Sequence, residues 1–204
     1  MDVLATIRSD RAVAVIRGER VADAAGLAET LAEAGIHTIE FTFTIPDVLA
    51  AIEAAAASPA VVGAGTVRDD RQARDAISAG AQFIVSPACV PEVARVAIEA
   101  GVPVFLGALT PTEIDAALKA GTSAVKLFPA GLGGPLYLRD LRGPFPHADF
   151  IPSGGVTVDN ARAFLDAGAI AVYAGSSLAP PELVAAGDHE EIGHRAHAFL
   201  AALS

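Results

Sequence analysis

One local pattern recurs along nearly the whole chain and limits the folds open to it. A run rich in Ala, Glu and Arg ends in Ala-Gly, and a short β-branched, apolar run follows. Glycine just past a helix commonly adopts the left-handed conformation that ends the helix, so each Ala-Gly pair predicts a helix end and each following run predicts a strand. The pairs lie at 34–35, 79–80, 100–101, 120–121 and 167–168, and the strand-like runs at 12–17, 38–43, 61–67, 83–87, 102–108, 124–129, 149–153 and 171–177.

The spacing of these units predicts the fold. Predicted strands start about every 19–26 residues, which is the length of one short βα unit. Eight strands alternating with helices predict an α/β protein, a single (β/α)8 TIM barrel over residues 1–204, with a short helix over 1–10 and a last helix over 188–203. A doubly wound sheet is the structural alternative, but the even spacing and the lack of a G-x-G-x-x-G motif favour the barrel.

Composition narrows the function classes. The chain is 52% hydrophobic and 19% charged, as expected of a globular chain with a large core. Its net charge of −10 argues against nucleic acid or an anionic membrane as a partner. The one cysteine, Cys89, cannot form an intrachain disulfide and fits a reducing compartment. The sequence shows no signal-peptide-like start and no stretch long enough to span a bilayer, so we expect the cytoplasm.

Lys126 is one of only two lysines and lies in the apolar strand-like run AVKLFP. A buried ammonium is costly unless it is paired or has lost its proton. A desolvated lysine has a lowered pKa, and its free amine can attack a ketone to form a Schiff base. The alternative is a lysine at a strand end that points into solvent.

Strand alternation predicts a second charged group inside the barrel. On the second strand Glu40, Thr42 and Thr44 share one face, and the phenylalanines between them share the other, which must pack outward against helices. The same parity turns Lys126 and Phe128 inward on the sixth strand. The Glu40 carboxylate and the Lys126 amine should therefore lie within reach of each other, either as functional groups or as a buried structural ion pair.

The predicted carboxyl ends of other strands suit an anionic ligand. Arg17 ends the first strand, where a guanidinium could bind a carboxylate or phosphate, or could simply extend into solvent. The glycines of 63–66 would let a ligand approach the backbone. Loops after strands 7 and 8 commonly bind phosphate in these barrels, and the sequences at 152–156 and 174–177 fit that role, although a Gly-Gly pair is often only a turn.

The chain resembles a known family. The segments IEFTFTIPD (39–47), VGAGTV (62–67), FIVSP (83–87), LTPTE (109–113), VKLFPA (125–130), GPFP (143–146), IPSGGV (151–156) and GSSL (175–178) are similar to those of the 2-keto-3-deoxy-6-phosphogluconate (KDPG) aldolases. This class I family includes phosphogalactonate and 4-hydroxy-2-oxoglutarate aldolases. The resemblance implies a homotrimeric barrel that cleaves a phosphorylated keto acid into pyruvate and glyceraldehyde 3-phosphate, with no metal and no cofactor.

Residue by residue, the resemblance implies a catalytic pair and a set of binding residues. Lys126 matches the Schiff-base lysine and Glu40 the carboxylate that shuttles protons. The remaining matches are Thr66 near the pyruvate carboxylate, Phe128 beside the Schiff base, Pro87 at the substrate, and the phosphate-binding positions Gly154, Gly155, Gly175 and Ser176.

Two departures from the family pattern leave the preferred substrate and its stereochemistry open. Many members have an arginine at the position of Thr44, where it holds the substrate carboxylate, and Arg17 is the plausible replacement. Ser153 stands where the family usually has threonine, and we expect both Thr44 and Ser153 to contact the substrate. Two other hypotheses remain at this point: a phosphate-binding isomerase, epimerase or synthase barrel in which Lys126 acts only as a charge, and a non-catalytic barrel.

Overall fold

The computed structural model describes residues 2–204, and the predicted barrel is confirmed. Eight parallel strands follow one another in the order β7-β6-β5-β4-β3-β2-β1-β8. The Ile170 amide, just before β8, donates to the Phe150 carbonyl of β7 at 3.0 Å, so the two edge strands lie side by side and the barrel is nearly closed. The strands are β1 Ala12–Ile16, β2 Thr38–Thr42, β3 Val61–Gly65, β4 Ile84–Val85, β5 Val104–Ala108, β6 Ala124–Leu127, β7 Phe150–Pro152 and β8 Val172–Ala174.

Helices alternate with the strands as the sequence predicts. Within residues 2–204, no helix has both the length and the apolarity needed to cross a membrane. The helices are α1 Val3–Asp10, α2 Ala24–Glu33, α3 Val48–Ala55, α4 Asp70–Ser78, α5 Pro91–Glu99, α6 Pro111–Lys119, α7 Gly134–Arg142, α8 Ala161–Asp166, α9 Pro181–Ala186 and α10 His189–Ala202, with a 3-10 turn at Ala130–Leu132 before α7.

All five Ala-Gly pairs end a helix in the predicted way. Their glycines have φ between +70° and +100°. After each, the next amide donates to a carbonyl five residues back, as Ile36 does to Leu31 at 2.9 Å. This bonding satisfies carbonyls that the helix end would otherwise leave free, and it turns the chain into the next strand.

The predicted strands are too long at several ends. β5 begins at Val104 and not at 102, because Pro103 has no amide hydrogen to donate to a neighbouring strand. At the carboxyl ends, residues such as Arg17, Pro87 and Phe128 have left the sheet. They belong to the loops that surround the mouth of the barrel.

The barrel interior is apolar at its amino end and polar toward its carboxyl end. Val3 and Ile7 of α1 cluster with inward-facing strand residues, so α1 covers the amino end. Above them the rings of Phe83 and Phe105 lie 5.7 Å apart. This floor is apolar apart from Thr38 at the start of β2, and the other buried polar side chains lie farther toward the carboxyl ends of the strands.

Candidate active site

Glu40 and Lys126 meet inside the barrel. The Lys126 Nζ donates to Glu40 Oε1 at 3.3 Å, and the two side chains are 2% and 0% exposed. Phe41, Val125 and Leu127 pack outward in the layer between strands and helices. The parity prediction is therefore confirmed on both strands.

Glycines on β3 make room for these groups. A Cβ on Gly65 would lie 2.4 Å from Glu40 Oε1, and one on Gly63 would lie 2.4 Å from the Phe83 ring. The sequence suggested that these glycines let a ligand approach the backbone. In the structure, the space beside Gly65 is filled by the Glu40 carboxylate and the space beside Gly63 by the Phe83 ring. A side chain at either glycine would clash with these groups.

The surroundings of Lys126 favour its neutral form. Burial lowers the pKa of the Lys126 amine most strongly, the charge of Glu40 and its hydrogen bond raise that pKa, and the positive charge of Arg17 lowers it. The net effect is a pKa below the usual value for lysine. The site thus provides an unprotonated amine at lower pH than an exposed lysine could, which is what nucleophilic attack on a carbonyl needs.

Tyr173 is a site residue that the sequence reasoning missed. Its ring centroid lies 4.5 Å from Lys126 Nζ. Burial and then the charge of Glu40 raise the pKa of the phenol well above its usual value, so it stays neutral. Strand parity could have identified it, because Tyr173 on β8 alternates with Ala171 just before the strand, which is in the same interior cluster, and with Gly175 just after it, which lines the cavity.

A cavity of about 210 Å³ opens beside this cluster at the carboxyl end of the barrel. It brings together seven of the predicted site residues, all from the segments that follow β1, β6, β7 and β8. Those seven are Arg17, Phe128, Ser153, Gly154, Gly155, Gly175 and Ser176, and the cavity is completed by Val15, Tyr173, Ala179 and Pro181.

One wall of the cavity consists of backbone amides. Within residues 2–204, the N–H groups of Gly154, Gly155, Gly175 and Ser176 have no hydrogen-bond acceptor. Gly154 and Gly155 have φ of +79° and +82°. Consecutive amides held in this way form a concave site suited to an anion.

The amide wall is held from behind. The carbonyl of Gly154 accepts from the Gly131 amide at 2.8 Å. That of Gly155 accepts from Asn160 Nδ2 at 2.8 Å. A Cβ on Gly155 would lie 2.9 Å from the Gly131 Cα, so the two loops touch. These contacts hold the turn in its conformation without a ligand.

Arg17 contributes a cation at the mouth. Its side chain is exposed and makes no hydrogen bond or ion pair with any other residue of 2–204. A free guanidinium beside unpaired amides makes this side of the mouth electropositive, in a chain whose net charge is −10.

Five predicted residues do not line the cavity: Glu40 and Lys126 are buried beside it, and Thr44, Thr66 and Pro87 lie elsewhere at the mouth. Thr44 is exposed, and its Oγ1 lies 2.6 Å from Thr42 Oγ1. Thr66 is half-buried with φ of +59°, an uncommon conformation for a β-branched residue. The Pro87 carbonyl packs so closely on β5 that a Cβ on Gly107 would lie 2.2 Å from it. These last three lie at carboxyl ends of strands, and their roles remain predictions.

Neither the histidines nor Cys89 form a second centre. Across residues 2–204 no three His, Cys, Asp or Glu side chains are grouped to hold a metal ion. His37 lies against Asp10 at the end of α1, with Nδ1 3.1 Å from the carboxylate. Burial and then the charge of Glu113 raise the pKa of the Cys89 thiol, which disfavours the reactive thiolate.

Comparison with known proteins adds a family match. A family model described as aldolase, KDPG and KHG aldolase, matches residues 3–195. The 2-dehydro-3-deoxy-phosphogluconate aldolase of Treponema pallidum is 38% identical over 188 residues, which cover 89% of this chain and 88% of that protein.

Solved structures of similar proteins share the whole fold. A 4-hydroxy-2-oxoglutarate/2-dehydro-3-deoxyphosphogluconate aldolase superposes with a TM-score of 0.90 at 36% identity, over 100% of both chains. The KDPG aldolase of Legionella pneumophila superposes with a TM-score of 0.88 at 29% identity, over 97% of this chain and 98% of that one. In that crystal, pyruvate is captured at low pH as a covalent carbinolamine intermediate.

Proposed function

We propose a function for this chain from one premise: it belongs to the KDPG and KHG aldolase family. The chain is a class I aldolase that cleaves a 2-keto-3-deoxy-6-phospho sugar acid into pyruvate and glyceraldehyde 3-phosphate. The observation that carries this proposal is the Lys126 amine, held inside the barrel with a lowered pKa and 3.3 Å from the Glu40 carboxylate.

Lys126 is the proposed nucleophile. Its neutral amine adds to the C2 ketone of the substrate to give a carbinolamine, which loses water to give an iminium. The iminium accepts the electron pair of the C3–C4 bond when that bond breaks, a role that a neutral ketone fills far less well. Protonation of the resulting enamine at C3 and addition of water release pyruvate and restore the amine.

Glu40 is the proposed proton carrier. Its Oε1 already accepts from the amine, while Oε2 has no hydrogen-bond partner within the described residues and is free to accept another proton. In cleavage, the carboxylate takes the proton of the C4 hydroxyl, directly or through a water, as that oxygen becomes an aldehyde. The same group can then supply the proton that C3 receives.

The cavity provides the proposed grip on the rest of the substrate. The four unpaired amides, with Ser176, bind the phosphate, and Arg17 binds the carboxylate in place of the arginine that many relatives have at position 44. Phe128 and Ser153 line the same cavity. Held through its phosphate and its carboxylate, the substrate keeps its C2 carbon facing the amine.

Borohydride reduction in the presence of pyruvate tests the proposal. A Schiff base would be reduced to a stable amine, so activity should be lost and the mass of a pyruvyl adduct should map to Lys126. An active protein that forms no adduct would instead support a phosphate-binding isomerase, epimerase or synthase. Release of pyruvate, coupled to lactate dehydrogenase, then compares the gluconate- and galactonate-derived phosphates and 4-hydroxy-2-oxoglutarate.

Arg17→Ala should mainly weaken substrate binding. Loss of a charge-assisted hydrogen bond to a carboxylate costs about 1.5–3 kcal/mol, so KM should rise about 10- to 100-fold while kcat changes less. Steady-state pyruvate release gives both constants. If the variant keeps its full affinity, another group holds the carboxylate.

Gly155→Ala should weaken phosphate binding in particular. The added Cβ would meet the Gly131 Cα at 2.9 Å and displace the amide wall, so KM for a phosphorylated substrate should rise about tenfold or more. KM for unphosphorylated 4-hydroxy-2-oxoglutarate should change little. Gly101→Ala is the matched control, because Gly101 also has positive φ, at +70°, but has nothing near its Cβ and lies at the opposite end of the barrel. Equal effects on both substrates would contradict a phosphate role.

Two further features are proposed from the family resemblance. We propose that the chain assembles as a homotrimer. Exposed apolar side chains such as Leu132, Leu136 and Ile98 support this proposal, because a subunit interface would cover them. The mass of the protein in solution tests it. We also propose that it works in the cytoplasm, since its one cysteine suits a reducing compartment.

A further inference from the structure

Tyr173 lies where the reaction would place a positive charge. Its ring centroid is 4.5 Å from Lys126 Nζ, within the range at which an aromatic face attracts a cation. The Schiff-base nitrogen is that same atom, so the ring that faces the amine also faces the iminium. Tyr173 lines the cavity as well, so the substrate carbon bonded to this nitrogen enters beside the ring.

The phenol hydroxyl does not account for the position of this ring. It is buried and has no hydrogen-bond partner among residues 2–204. A tyrosine kept only to fill the core usually satisfies its hydroxyl, and phenylalanine would fill the same space without an unpaired polar atom. The ring packs in the interior apolar cluster, and the charged group that it faces is the Lys126 nitrogen.

A neutral aromatic face suits the electrostatics of this site. The charged groups around Lys126 are Glu40 from β2 and Arg17 after β1, and Tyr173 is the titratable group from β8. Inward residues of the other neighbouring strands, such as Gly65, Gly107 and Ser153, do not titrate. A second carboxylate would hold the lysine as an ammonium and suppress its attack, whereas the smaller attraction of a ring supports the iminium and still allows deprotonation.

We propose that the ring face of Tyr173 stabilises the positive charge on the Lys126 nitrogen in both the ammonium and the iminium. This inference rests on the proposed aldolase function. The ring is the active part, and the hydroxyl is dispensable.

Tyr173→Leu and Tyr173→Phe separate the ring from the hydroxyl. The measurement is borohydride trapping of pyruvate on Lys126. The fraction of protein that carries the reduced adduct is determined by mass spectrometry over a series of pH values and pyruvate concentrations. Without the ring, the iminium loses about 0.5–2 kcal/mol, so Tyr173→Leu should need about 2- to 30-fold more pyruvate for half-maximal trapping. Tyr173→Phe should stay close to the parent protein.

The pH profile distinguishes this role from packing. Trapping should fall at low pH as Lys126 becomes protonated, and we call this part of the pH profile the acid limb. Loss of a group that stabilises the ammonium lowers the pKa of Lys126, so the acid limb should move to lower pH in Tyr173→Leu. If the leucine only loosened the core and admitted water, relief of burial would raise that pKa and move the limb to higher pH. Phe105→Leu is the packing control, since Phe105 is an equally buried ring of the same interior cluster and contacts Phe83. It should lower Tm without moving the limb.

Each outcome supports or overturns the inference. A shift to lower pH with weaker trapping in Tyr173→Leu, but not in Tyr173→Phe, supports it. An unchanged limb, a shift to higher pH, or equal losses in both variants overturns it. If the parent protein itself forms no adduct, the aldolase proposal fails instead, so the two failures are distinguishable.

Discussion

Lys126→Arg is expected to abolish pyruvate release, with kcat falling by about 10⁴-fold or more. A guanidinium stays protonated at any pH the protein tolerates and cannot supply a neutral amine to the ketone. The substitution keeps a positive charge beside Glu40, so the buried carboxylate is not left without a counter-charge. Lactate dehydrogenase-coupled turnover measures the loss.

The chain contains its own control for this prediction. Lys119, the only other lysine, lies exposed on α6 and pairs with Asp115 at 2.6 Å. Lys119→Arg should retain parental turnover, and borohydride trapping should label Lys126 and leave Lys119 unmodified. Appreciable turnover by Lys126→Arg, in a folded protein with parental Tm, would rule out a Schiff base on this residue.

Glu40→Gln is expected to lower kcat by about 10²- to 10⁴-fold, the usual contribution of a positioned acid or base. Glutamine keeps the shape of the side chain and an acceptor for the Lys126 amine but cannot carry a proton. Schiff-base formation should therefore survive better than cleavage, so trapping of pyruvate should persist in a variant that scarcely turns over.

The pH dependence of borohydride trapping is a second, independent test of Glu40→Gln, because the direction in which the profile should move can be predicted. The Glu40 charge raises the pKa of Lys126, so its removal leaves burial and Arg17 to lower that pKa further. The acid limb of trapping should move to lower pH. Gly65→Ala is a second variant, because its Cβ would lie 2.4 Å from Glu40 Oε1 and displace an intact carboxylate. If both variants keep full turnover, another group carries the proton.

The repeating order of the fold was predictable because its signals are local. A left-handed glycine ends a helix through bonds to carbonyls a few residues back, which the sequence around each Ala-Gly pair already contains. Strand parity is equally local, with a period of two residues. That period alone turned Glu40 and Lys126 inward, and the structure brings them within 3.3 Å.

The site is less predictable where several loops converge. Thr66 and Arg17 both follow strands at the mouth, yet only Arg17 lines the cavity, since the sides on which they lie depend on how the barrel closes. The sequence favours an interpretation of Gly65 as space for a ligand, because it does not show that Glu40 on the neighbouring strand β2 fills that space. Tyr173 is missing from the sequence predictions for the same reason. Its place in the site depends on contact with Lys126, which lies 47 residues earlier in the chain.

By itself, the sequence determined the number of βα units, their order, and the two charged side chains turned toward the barrel axis. These follow from backbone preferences and alternation over a few residues. Only the tertiary structure decided that the amine is desolvated, that an aromatic face covers it, and that four unpaired amides line one cavity. A pKa depends on the water removed and the charges brought near, and both are supplied by strands far apart in the chain.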